Sequence, residues 1–412
     1  MKKKYLIAAA VVLGAGIALY RSRLRSEHDL HTSLHQKERQ PFRRKHAGSD
    51  MCFYPASAAK QLGRTVYHPD TKTLWCSLSG SGIAFSFCGK ECILHLTADS
   101  AYTGGKSCAA RYAVFLNGRL AADAQLTEPE QTVRLHNTGN SDHPADVRFV
   151  KLSESQHSSL GIREICIVSS GRGHRKCPDV LLTAAENKPH CIEFIGDSIT
   201  CGYGVEGSLS DGPFRTETEN VMKSYAYLTA ERLRADYSMV CYSGHGIISG
   251  YTTNGTAVRN QLVPRFYGEV GHCPAVLEGR RRIQDDLWHF ARKPDLIVLN
   301  LGTNDSSYTG TDPAKQKAFA AAYTAFLKTV REKNPDAPVL CTLGIMGQTL
   351  CSAVAQAAAD YIAETGDTNI RTMRFAEQSE EDGYAVDWHP SAASHRKAAE
   401  QLTAYIQEWL GW

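Results

Sequence analysis

The chain lacks the cysteine spacing of a metal site. Its 13 cysteines include no Cys-x-x-Cys pair and no Cys/His spacing that suits zinc, which excludes a structural zinc module. Most sit singly inside apolar runs, as in Ile165-Cys166-Ile167, Val240-Cys241-Tyr242 and Leu340-Cys341-Thr342, where cysteine acts as a small buried hydrophobe. Cys88 and Cys92, four apart across Gly89, leave room for one local bridge; the rest do not form a disulfide framework. Charge of one sign is also scarce. With 46 Lys+Arg against 43 Asp+Glu the formal net charge is +3, and nothing points to nucleic acid or a strongly acidic substrate. The longest apolar run, residues 6–19, falls short of the ~20 residues of a full membrane span.

What is present is ordinary globular composition, 42% apolar and 22% charged over 412 residues, enough for two domains. Lys2, Lys3 and Lys4 ahead of the 6–19 run form an export signal. Arg21, Arg23 and Arg25 follow in place of a small-x-small cleavage site, so residues 1–20 read either as a signal peptide or as a signal anchor holding the protein at a membrane. Residues 21–55 are polar and basic without periodicity and read as a flexible tether. From 56 to 175 short apolar runs recur between Gly, Asn and Asp turns. Strands are expected at 74–78, 83–87, 93–97, 112–116, 132–135, 147–152 and 162–168, with a hairpin turn at Asn117-Gly118. This spacing predicts an all-β jelly-roll or sandwich accessory domain.

Residues 176–189, with Pro178 and Pro189, read as a connector. Beyond it strands (192–195, 238–242, 296–301, 339–343, 370–375) alternate with helices (225–234, 313–332, 350–364, 392–409). That alternation predicts an α/β fold with a doubly wound parallel sheet over 190–412. In such sheets the site lies at the carboxyl ends of the strands. The first strand ends at Gly196-Asp197-Ser198, a tight turn that lifts a hydroxyl out of the sheet edge. The second ends at Tyr242-Ser243-Gly244-His245-Gly246 and the third at Gly302-Thr303-Asn304-Asp305. Asp387-Trp388-His389-Pro390 precedes the last helix, placing His389 on a loop that faces Ser198.

In order and spacing these four blocks resemble the SGNH or GDSL hydrolases. The resemblance is closer still to carbohydrate esterase family 2. It rests on Gly196-Asp197-Ser198-Ile199-Thr200-Cys201-Gly202-Tyr203-Gly204, Thr218-Glu219-Asn220, Ser224-Tyr225-Ala226 and Asp387-Trp388-His389-Pro390, with Leu78-Ser79-Gly80-Ser81-Gly82-Ile83 in front. It implies a jelly roll before an SGNH domain and removal of O-acetyl groups from polysaccharides or acetylated sugars, with the 6-O position preferred. No metal and no cofactor are implied. Ser198 is then the nucleophile and His389 its base. The Ser198 N–H, the Gly244 N–H and the Asn304 amide form the oxyanion hole.

The third triad member is open. Asp387 is the candidate acid, two before His389, whereas many SGNH enzymes carry it three before, here at Val386. Some family members use a main-chain carbonyl instead. Trp388 and Tyr203 are candidates for stacking on a sugar and His245 for touching it; Met346 is a candidate for the acyl pocket. Two other readings fit the same sequence: a lipid esterase or lysophospholipase on this scaffold, and a non-catalytic glycan-binding surface protein.

Overall fold

The computed structural model describes residues 51–138, 143–169 and 181–412. The expected signal segment, most of the tether and the first half of the connector lie outside them. Among the described residues no helix is long and apolar enough to cross a membrane.

Eleven strands between residues 51 and 168, with Leu182–Ala184 as a twelfth, form two six-stranded antiparallel sheets packed face to face. In the first, Leu160–Val168 lies between Thr73–Cys76 and Glu91–Ala98; in the second, Ala145–Lys151 lies between Gly82–Phe87 and Arg111–Leu116. Period-two patterning aims Ile83, Phe85 and Phe87 of one sheet at Leu94, Leu96 and Ile165 of the other, all buried. Asn117 and Gly118 both take positive φ, 51° and 75°, closing the expected hairpin between Leu116 and Arg119. Cys92 is a free thiol buried between the sheets, so the local bridge to Cys88 does not form.

Two boundaries move. Met51–Pro55, read from sequence as the end of the tether, is a strand paired to Leu160–Val168, with Tyr54 in the core. Leu182–Ala184, read as connector, pairs with Gly82–Phe87 because Leu181 and Leu182 fill the end of the sandwich.

The second domain is built on five parallel strands: β1 (His190–Gly196), β2 (Ala235–Cys241), β3 (Leu296–Asn300), β4 (Val339–Ile345) and β5 (Ile370–Glu377). Their order is β2-β1-β3-β4-β5. Besides the single turn Val263–Phe266, the helices are α1 (Ser198–Cys201), α2 (Tyr225–Arg232), α3 (Thr303–Thr309), α4 (Pro313–Lys333), α5 (Cys351–Thr365) and α6 (Ala392–Leu410). The strands are apolar on both faces because both are covered. Ile195, Leu299 and Cys341 pack under α4 and α5, and Phe194, Val298 and Leu340 under α2 and α6. The chain reverses direction across the sheet between β1 and β3, and the carboxyl ends of these two strands form the crevice where such folds place their sites.

The two domains are joined by buried charge. Arg64 of the first domain is fully buried and donates to Glu193 Oε2 on β1 at 3.0 Å and to the carbonyls of Tyr267 and Glu269 at 2.6 and 3.0 Å. Its guanidinium lies over the rings of Tyr267, Trp288 and Phe290. Removing one partner of a buried pair leaves the other uncompensated. Arg64→Leu should therefore lower unfolding free energy by about 3–5 kcal/mol, read by chemical denaturation; a loss within about 1 kcal/mol would mean the interface does not depend on this pair.

Candidate active site

β1 delivers Ser198 to the crevice through a turn with no room for larger residues. A Cβ on Gly196 would lie 2.0 Å from Thr200 Oγ1. Asp197 caps α1, accepting the Ile199 N–H at 3.0 Å. Ser198 is the first residue of α1, and Gly202 ends the helix in the left-handed region with φ 76°. At such a first position the backbone N–H has no intrahelical acceptor.

His389 Nε2 lies 2.8 Å from Ser198 Oγ, and Nδ1 lies 3.1 Å from the Val386 carbonyl. A carbonyl only accepts, so Nδ1 carries the proton and Nε2 is left to accept from the serine hydroxyl. The loop is fixed from both sides: Ala385 N–H donates to the His389 carbonyl at 2.9 Å, and Ser391 caps α6. Burial pushes the His389 pKa down to about 4, opposed by the Val386 carbonyl and the charge of Asp387.

Asp387 does not orient the imidazole. Asp387 and Trp388 both have positive φ, 51° and 64°. The carboxylate accepts the Tyr203 O–H at 2.9 Å, while the carbonyl three residues before His389 takes the Nδ1–H. The Tyr203 ring is stacked between His389 and Phe214, at centroid distances of 4.1 and 4.0 Å. With both faces covered it is a brace for the histidine rather than a platform for a sugar. Gly204 makes room for this loop, since a Cβ there would meet Val386 Cβ at 2.5 Å.

The other side of the crevice is the turn after β2. Gly244 has φ 76°, a conformation that disfavours other residues. Its carbonyl accepts the Tyr251 N–H at 2.8 Å. Asn304, second residue of α3, donates through Nδ2 to the His245 carbonyl at 2.8 Å and to Asp197 Oδ2 at 3.3 Å. Asp305, fully buried, accepts the N–H groups of Ile247, Ile248 and Ser249 and pins the following loop. Burial is the main cause that raises the Asp197 carboxyl to about 7 and Asp305 to about 6.

His245 is not a surface residue. It is 4% exposed, its ring packs against Tyr242 and Phe266, and Nδ1 lies 2.8 Å from the Ser243 carbonyl. Met346 is half-buried just beyond β4, in the cluster that contains Ile199 and Phe375. Trp388 is 62% exposed beside His389. Tyr251, 58% exposed, is a second open aromatic, tied by its backbone to Gly244. It lies in a loop with no periodicity, so nothing in the sequence separated it from a surface tyrosine.

Among the described residues, Glu154, Cys201 and Glu219 bring donor atoms within 4.8 Å of one another, close enough to hold a metal ion. They are fully buried near Lys151, whose amine burial pushes down against the pull of Glu219.

Residues 194–397 match the GDSL-like lipase/acylhydrolase family and residues 61–173 the carbohydrate esterase 2 N-terminal family. The chain is 31% identical over 342 residues to the cellulase/esterase CelE of Acetivibrio thermocellus, covering 82% of this chain and 38% of that longer protein. It is 27% identical to an acetylxylan esterase / glucomannan deacetylase of Cellvibrio japonicus, covering 85% of this chain and 88% of the other. A family two carbohydrate esterase from Clostridium thermocellum, solved in complex with cellohexaose, superposes with TM-score 0.68 at 28% identity, over 86% of this chain and 99% of that one. With its antiparallel sandwich, its parallel sheet and both family domains in sequence, the chain belongs to carbohydrate esterase family 2 of the SGNH/GDSL hydrolases.

Proposed function

We propose that the protein removes O-acetyl groups from an acetylated polysaccharide or sugar through an acyl-serine intermediate, using Ser198 and His389 as a dyad. The observation that carries this is the 2.8 Å contact from His389 Nε2 to Ser198 Oγ with Nδ1–H held by the Val386 carbonyl. Ser198 Oγ attacks the acetyl carbonyl carbon as its proton passes to Nε2. The carbonyl oxygen, now negative, accepts from the Ser198 N–H, the Gly244 N–H and Asn304 Nδ2, each worth roughly 3 kcal/mol. The bond to the sugar oxygen breaks, and that oxygen takes the imidazolium proton. Water, deprotonated by Nε2, then attacks the acetyl-serine; acetate leaves and the proton returns to Ser198.

Trp388 and Tyr251 lie near opposite halves of this machinery and offer open aromatic faces for pyranose C–H groups. The names of the relatives point to xylan and glucomannan, and the neighbour's cellohexaose to a β-linked glucan backbone. A primary 6-O-acetyl group, standing clear of the ring, is the preferred leaving site. Lys2, Lys3 and Lys4 before the apolar run support export to the envelope or beyond, where such polymers are met.

Two measurements test the reading together: acetate release from acetylated xylan, acetylated glucomannan and 6-O-acetyl glucose, and a p-nitrophenyl ester series. Glycan deacetylation should be seen, and kcat/KM should fall at least about tenfold between acetate and butyrate, since an unfilled or overfilled methylene position is worth ~1–3 kcal/mol. A flat or rising series would move the assignment to a lipid esterase. Glycan binding without acetate release would make it a binding protein.

A further inference from the structure

The segment after the strand Ala145–Lys151, Ser153-Glu154-Ser155, is polar, yet all three residues are fully buried. Glu154 belongs to the first domain, but one oxygen of its carboxylate is committed to the second. Oε2 accepts the Ser243 N–H at 2.8 Å and the Cys201 thiol at 3.9 Å. Oε1 accepts from Gln156 Nε2 at 3.2 Å and lies 3.6 Å from His157 Nε2. The Glu154 N–H donates to Glu219 Oε2 at 2.9 Å. One buried carboxylate therefore ties the turn that ends in Gly244 to the helix that begins with Ser198.

A buried carboxylate is costly unless its oxygens are satisfied, and an apolar residue of similar volume commonly serves stability as well or better. The charge here is arranged for. Lys151, fully buried, donates to the Ser153 and Glu154 carbonyls at 2.6 and 3.0 Å. Against its burial, the nearby His157 ring and the Ser243 N–H hold Glu154 below the usual carboxylate range. Burial, then the Glu154 charge, drive Glu219 up. The same loop also braces the base: His157 lies against Phe214 at 5.0 Å, Phe214 stacks on Tyr203, and Tyr203 on His389.

We propose that Glu154 is a positioning residue for the esterase reaction, its carboxylate holding the Ser243 peptide so that the next N–H, that of Gly244, is aimed at the oxyanion, and that the first domain is thereby part of the active site. This rests on the esterase reading above. The test is Glu154→Gln in the full chain, assayed on p-nitrophenyl acetate with active sites titrated and folding followed by calorimetry. Gln keeps the shape but loses the charge-assisted bond to Ser243 N–H. An oxyanion donor that is misplaced acts only in the transition state, so kcat per titrated site should fall roughly 10- to 100-fold with KM within about twofold. A Tm drop with kcat per titrated site unchanged, or a KM change alone, would overturn the proposal and leave Glu154 a packing residue. Glu154→Asp keeps the charge but shortens the reach by one methylene, and should show the same split, more weakly. It carries the test if the Gln variant does not fold; failure of both to fold would make Glu154 a folding residue and overturn the proposal. An inactive wild type would instead remove the esterase reading itself.

Discussion

Ser198→Ala should lower kcat on p-nitrophenyl acetate by about 10⁴- to 10⁶-fold, the range seen when a serine hydrolase loses its nucleophile. Folding should be almost untouched. Ser198 is 5% exposed and its Oγ has His389 Nε2 as its hydrogen-bond partner. Alanine leaves the α1 backbone free to form, because the cap comes from the Asp197 side chain and not from Ser198. No large cavity opens, and the freed imidazole nitrogen can meet water at the crevice. A change in unfolding free energy beyond about 1 kcal/mol would exceed what removal of one hydroxyl explains. The measurement pairs initial rates with a thermal melt. Rates within tenfold of wild type, with the fold intact, would assign turnover to another group and sink the acyl-serine mechanism. Unchanged glycan binding in the same variant would show that recognition is separable from chemistry, as expected if exposed Trp388 and Tyr251 supply it.

How much of this site was legible in sequence follows from what kind of group does each job. The α/β frame was, because Ile192, Phe194 and Ile195, or Leu296 and Val298, form dense apolar runs that only a strand covered on both faces needs. That Ser198, Asn304 and His389 share one crevice was, because their blocks fall at or beside the carboxyl ends of those strands. The group behind His389 was not. A backbone carbonyl has no side-chain signature, and the spacing offered Asp387 instead; the positive φ of Asp387 and Trp388 turns that carboxylate to Tyr203.

For Tyr203 and His245 the local pattern did not show how far the rings are covered, because Phe214, Phe266 and His389 reach them from outside their own turns. Polar composition misled in the first domain too, where Met51–Pro55, beside basic residues, is a strand.

The difference between a dyad and a triad has a measurable size. His389→Ala removes the base and should cost about 10⁴-fold or more in kcat, comparable with loss of the serine because the two act as a unit. Asp387→Asn should cost less than about tenfold. In a triad the same change is worth ~10⁴, since the asparagine selects the wrong imidazole tautomer. Here the Val386 carbonyl sets the tautomer at 3.1 Å whatever stands at 387, and the asparagine oxygen can still accept the Tyr203 O–H. The two variants should also separate by pH. The base must be neutral to act, and burial lowers the His389 pKa to about 4, so the acid limb of kcat/KM should lie well below the ordinary histidine value of ~6.5. The Asp387 charge raises that pKa; removing it should move the limb further toward acid, leaving the neutral-pH rate near wild type. Equal losses for Asp387→Asn and His389→Ala would put the carboxylate back behind the imidazole and restore a full triad.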